Sequence, residues 1–194
     1  LWGQAATAEA AIRLNWIDLP KSSASLIPQL KELKKWSADL GHQEIILCGM
    51  GGSSLAPEVF GKSYKKAITV LDSTDPEQIA NALPDDLKSC LVIIGSKSGS
   101  TIETASHKAF FENEFKNAGL NPINHFLIIT DPNSPLDKSA KDAGYQVVHA
   151  DPNVGGRFSA LSAFGLVPAH LMGIDILKIL NEAAESAKSF TEND

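Results

Sequence analysis

The sequence predicts an α/β domain, with five parallel strands in one sheet and helices on both faces as a three-layer sandwich. Three observations carry that prediction. Five short runs rich in Ile, Val and Leu recur along the chain, as in strands buried on both faces. Stretches of helical periodicity separate them, so the connections are crossovers rather than hairpins. Two of the runs end in turns rich in Gly and Ser, at the end of the sheet where ligands bind in such folds.

Taken in order, residues 5–17 are an Ala-rich helix candidate and Pro20 to Ser25 reads as a break. Leu26, Leu30, Leu33 and Trp36 or Leu40 recur at helical spacing. They predict an amphipathic helix over 25–40, closed by Gly41, with Trp36 on its core face. Glu44 to Cys48 is the first strand, running into Gly49-Met50-Gly51-Gly52-Ser53-Ser54, and a helix follows to about Lys62. Ala67 to Leu71 is the second strand. Asp72 and Asp75 fit turn and cap roles, with Asp75 as N-cap and Pro76 opening the next helix. The third strand, 90–95, leads into Ser96-Lys97-Ser98-Gly99-Ser100-Thr101 and a helical pattern from Ala105 to Phe115. The fourth strand spans 124–130, and Ser134-Pro135 starts another helix. Tyr145 to His149 is the fifth strand. Beyond Asp151–Ser159, an apolar helix is expected from about Ala160 to Met172, then another from Asp175 to about Ser189.

Three units follow: an N-terminal helical segment (1–40), the sheet domain (41–175), and a terminal helix (176–194) expected to lead into a second domain. Opening on Leu1 and closing on a polar Thr-Glu-Asn-Asp, the chain reads as a piece of a longer protein. A flavodoxin-like strand order, 2-1-3-4-5, would bring the turns after the first and third strands together.

Composition narrows the partners. The 194 residues carry a formal net charge of −6 and contain no basic run, which argues against nucleic acid and anionic membrane surfaces. No stretch is long and apolar enough to span a bilayer, and no signal peptide is evident. Cys48 and Cys90 each sit in or beside a strand-like run and are expected as buried free thiols in a reducing cytoplasm. His42, His107, His125, His149 and His170 are scattered without metal-ligand spacing, so no metal and no cofactor is expected.

The turn at 96–101 reads as a phosphate cradle. It sits between a strand and a helix, where backbone N–H groups converge at the positive end of the helix. Ser96, Ser98, Ser100 and Thr101 add hydroxyl donors, and Gly99 permits close approach or positive φ. The competing reading is a capping box, Ser100 with Glu103. The turn lacks the Gly-Lys-[Ser/Thr] ending of a nucleotide P-loop, so a phosphorylated small molecule suits it better than ATP. The turn at 49–54 matches Gly-x-Gly-x-x-Gly poorly, which weighs against a dinucleotide. Arg157 follows Gly155-Gly156, so it can project from a tight turn toward an anionic oxygen.

Three motifs together resemble the glucose-6-phosphate isomerase family: Gly49-Met50-Gly51-Gly52-Ser53, Ser96 through Thr104, and Val154-Gly155-Gly156-Arg157-Phe158-Ser159. The first two are also similar to the wider sugar-isomerase (SIS) superfamily. The resemblance covers roughly residues 40–175 and implies the first of two SIS domains. It implies that Ser96, Lys97 (through its backbone amide), Ser98 and Thr101 hold the phosphate of a sugar. Gly52 and Ser53 would contact the sugar end. Arg157 would stabilise the enediolate formed when a proton moves between C2 and C1. The family's glutamate base, ring-opening histidine and a further lysine are expected after this segment, and no Glu-Ser-Asn-Gly-Lys-like stretch occurs within it. The expectation is therefore a chain that binds a phosphosugar but does not turn it over alone; the resemblance implies a homodimer for the family, while the residues of this segment leave its own oligomeric state open. A non-catalytic SIS sensing module and an SIS isomerase for another phosphosugar are the alternatives.

Overall fold

A computed structural model of the protein describes residues 3–191. Three helices, α1 (Gly3–Arg13), α2 (Leu19–Ser22) and α3 (Ile27–Asp39), precede the sheet. The core then alternates β1 (Glu44–Gly49), α4 (Leu55–Tyr64), β2 (Thr69–Leu71), α5 (Pro76–Ala82), β3 (Cys90–Gly95), α6 (Ile102–Asn117), β4 (Phe126–Thr130), α7 (Pro135–Asp142) and β5 (Gln146–His149). Two helices close the described chain, α8 (Ala163–Leu171) and α9 (Ile176–Thr191). The strands lie in the order β2-β1-β3-β4-β5, every pair parallel. That is the expected order, and it sets the ends of β1 and β3 side by side, Gly49 opposite Gly95.

The period-2 alternation of a strand sorts the β3 side chains to two faces. Leu91 and Ile93 pack with Leu47, Leu127 and Ile129 against α3, α8 and α9. Val92 and Ile94 pack with Ile46, Ile128 and Phe126 against Phe111 and Phe115 of α6. All six residues of β3 are buried, which is why its sequence reads as an unbroken apolar run rather than an alternation. Cys48 and Cys90 are buried and unpaired. Burial pushes both thiols upward, and each is inert at neutral pH. Among the described residues, no helix is long and apolar enough to cross a membrane and no group of His, Cys, Asp and Glu could hold a metal ion.

Some boundaries differ from the sequence reading. The supposed break at Pro20–Ser25 is helical, α2 followed by a 3-10 turn over Ser23–Leu26. Pro20 falls in the first turn of α2, where a missing N–H costs nothing. The first helix stops at Arg13 and Asn15–Asp18 forms a 3-10 turn. The apolar helix expected from Ala160 begins at Ala163 instead. Extended backbone at Ser162 breaks the chain there, and its hydroxyl accepts from the Phe164 N–H at 3.3 Å. Asp75 caps α5 as expected, accepting from the Glu77 and Gln78 N–H groups.

Candidate functional site

Three loops meet at the carboxyl ends of β1, β3 and β5. The first turns through Gly51–Ser53, with Gly51 at φ +55°. The second, Ser96–Thr101, bonds internally. The Ser96 N–H donates to Ile129 O at 3.0 Å, extending the sheet by one residue. The buried Ser96 hydroxyl accepts from the Gly99 N–H at 3.1 Å. Ser98 Oγ accepts from the Ser100 N–H at 3.2 Å and lies 2.6 Å from Ser100 Oγ. Gly99 sits at φ +74°, a conformation that L side chains seldom adopt.

The capping box does not form. Thr101 rather than Ser100 is the N-cap of α6, and no side chain caps that helix. The Ser100 hydroxyl is held by Ser98, and Thr104 Oγ1 donates to Thr101 O. The leading amides of a 16-residue helix therefore face the loop with the partial positive charge of a helix N-terminus.

The third loop carries Gly155-Gly156-Arg157 and lies directly on the first. A Cβ built on Gly52 would stand 2.0 Å from the Gly156 carbonyl oxygen, so only glycine permits this approach. The Ser159 hydroxyl donates between Gly52 O, 3.0 Å away, and Gly156 O, 2.6 Å away, stitching the two loops together. Between the loops is a cavity of about 200 Å³, smaller than a drug-sized pocket. Gly52, Ser53, Ser96, Lys97, Ser98 and Thr101 all line it, with Gly156 from the third loop and Phe164 below. The six residues expected at a phosphosugar are thus around one cavity.

Arg157 is next to Gly156 but is not among the lining residues. Its side chain is exposed and makes no hydrogen bond or ion pair among the described residues. The Lys97 ammonium is engaged outside the cavity, 3.0 Å from Asp131 Oδ2 and 3.0 Å from Val154 O. That leaves amides and hydroxyls as the anion-binding groups. No carboxylate and no imidazole is among the lining residues. Glu58 pairs with Lys62 on α4, and Glu103 lies in the first turn of α6. Two residues that matter here have no role in the sequence analysis: Asp131, in the turn between β4 and α7, and Ser159. The acidic turn and the Gly-Gly-Arg-Phe-Ser motif held the available signals.

A parallel sheet in this order, with a small polar-lined cavity where the loops after its first and third strands meet, defines a three-layer α/β domain with its candidate site at the carboxyl end of the sheet. The fold is shared with tagatose-6-phosphate ketose/aldose isomerase from Escherichia coli, at a TM-score of 0.61 and 14% identity, over 99% of this chain and 55% of that one. That likeness concerns the fold alone. The chain belongs to the phosphoglucose isomerase family, whose model matches residues 33–194. It is 36% identical over 178 residues to glucose-6-phosphate isomerase from Cyanothece sp., covering 81% of this chain and 34% of the relative. The crystal structure of a glucose-6-phosphate isomerase from Chlamydia trachomatis superposes with a TM-score of 0.69 and 27% identity, over 92% of this chain and 33% of that one. The chain thus spans about a third of the length of these two isomerases.

Proposed function

We propose that this chain carries the phosphate-binding and enediolate-facing part of an isomerase that interconverts glucose 6-phosphate and fructose 6-phosphate. The observation that carries the reading is the convergence of three loops, distant in sequence, on one small cavity lined by amides and hydroxyls at an uncapped helix N-terminus. In this reading Ser96, Ser98, Thr101 and the Lys97 amide hold the phosphate, and Gly52 and Ser53 meet the sugar. Arg157, exposed beside the cavity, would turn in from the neighbouring loop on binding to stabilise charge on the enediolate oxygens.

Such a reaction also needs a base within hydrogen-bond reach of the proton at C2. No residue lining the cavity can serve. We assign the base to a further domain of the working protein, with a homodimer as its working form, and expect this chain alone to bind without turning over. The buried, unoxidised thiols suit a cytoplasmic setting.

Replacing Ser96 and Thr101 together with Ala tests the cradle. Calorimetric titration with fructose 6-phosphate should show affinity weakened by about 1–3 kcal/mol, the worth of hydrogen bonds to a charged oxygen. An unchanged affinity in a folded double mutant would remove these hydroxyls from the site.

A further inference from the structure

Lys97 is held at both ends by one residue. The Asp131 N–H donates to Lys97 O at 3.0 Å, and the Asp131 carboxylate meets Lys97 Nζ at 3.0 Å. Thr130 Oγ1 donates to the same carbonyl, also at 3.0 Å. Beyond the carboxylate, Nζ lies 3.0 Å from Val154 O and 3.4 Å from both Asp151 O and Pro152 O. The Lys97 and Asp131 side chains are only 27% and 19% exposed, so salt screens this pair less than a surface pair. The ammonium's donors are therefore spent on one carboxylate and the carbonyls of one turn.

That turn, Asp151 to Val154, runs directly into Gly155-Gly156-Arg157. From its other side, Asn15 Nδ2 donates to Asp151 Oδ2 at 2.9 Å, and Leu14 pairs with Val154 in an antiparallel bridge. Arg157 makes no bond of its own among the described residues. The backbone it grows from is therefore its one anchor to the rest of the described chain.

We propose that Asp131 is a positioning residue for Arg157. It holds the Lys97 ammonium against the Asp151–Val154 carbonyls and so fixes the turn that aims the guanidinium. The inference rests on the role given to Arg157 above. Asparagine at 131 would keep the backbone bond to Lys97 O but supply no charge. The ammonium would then turn toward an anion in the cavity, and the Asp151–Val154 turn would lose its anchor.

Two ligands separate the effects. Inorganic phosphate engages the 96–101 loop alone. A phosphorylated five-carbon aldonate adds a carboxylate where the enediolate oxygens would form, and so also engages Arg157. Asp131→Asn should weaken the aldonate about tenfold, the scale of coupling between residues in one network, and leave inorganic phosphate as tight or tighter. In an Arg157→Ala background the same change should cost the aldonate nothing further. Asp131→Glu, which keeps the carboxylate, should restore part of the loss. Asp131→Ser, which also removes the charge, should reproduce the aldonate-selective loss and stands in if Asp131→Asn does not fold. The proposal is overturned if Asp131→Asn leaves the aldonate unchanged, if both ligands weaken alike, or if the Asp131 and Arg157 losses multiply. Failure of Arg157→Ala itself to weaken the aldonate would overturn the role of Arg157 instead, and this inference with it.

Discussion

Gly52→Ala should weaken fructose 6-phosphate binding about 10- to 100-fold, as the loss of one or two hydrogen bonds to a charged ligand would, while the sheet stays folded. The added methyl would stand 2.0 Å from the Gly156 carbonyl oxygen, 2.4 Å from its carbonyl carbon and 3.0 Å from its Cα. All three are backbone atoms, so no side chain can rotate away. The first and third loops must separate, and the Ser159 hydroxyl can no longer reach both carbonyls. The core layers lie below these loops, so far-UV circular dichroism should be unchanged. Titration calorimetry on the folded variant reads the effect. Retained affinity would mean that the loop contact does not shape the site.

Gly99→Ala should reduce both stability and binding. At φ +74° an alanine pays the left-handed penalty of about 1–2 kcal/mol. Its methyl would also lie 2.3 Å from Leu136 Cβ and 3.0 Å from Leu136 N at the start of α7. Relieving that overlap costs about 1–3 kcal/mol by the usual scale of overpacking. Together these predict a melting temperature lower by on the order of 10 °C. The loop would move away from α7, and the Gly99 N–H would lose the Ser96 hydroxyl it donates to. A thermal melt followed by titration with fructose 6-phosphate reads both effects. A variant that melts like the parent would show that the turn can rebuild around a side chain.

The sheet was legible because burial on both faces leaves a direct mark. Leu91 to Ile94 can be nothing but a central strand between two helical layers, and the crossovers on either side force it to be parallel. The site was half legible. Gly and Ser after the first and third strands announce themselves, and the strand order carries them to one place. The capping box stands as a competing reading in the sequence because Ser100 and Glu103 have the right spacing. Only the folded turn shows that the Ser100 hydroxyl is already held by Ser98. The contact between Gly52 and Gly156 was not legible, since no local pattern links positions more than a hundred residues apart, nor does any link Ser159 to Gly52 across 107. The same holds for the Lys97 ammonium. The residue type suggests a phosphate cation, and only the packing of Asp131 and the Asp151–Val154 carbonyls shows it committed elsewhere. Pro20 read as a break because proline stops a helix from inside, whereas at the first turn it starts one.

The 96–101 loop, opening α6 and facing Gly52 and Ser53, is the element proposed to hold the phosphate of a sugar. Backbone amide shifts recorded while fructose 6-phosphate is added, with unphosphorylated fructose as control, test it most directly. Phosphate-dependent shifts are expected, concentrated at Ser96 to Glu103 and at Gly52 and Ser53, with fructose leaving these amides in place. Amides that stay still at saturating fructose 6-phosphate, or that move equally with fructose, would contradict it.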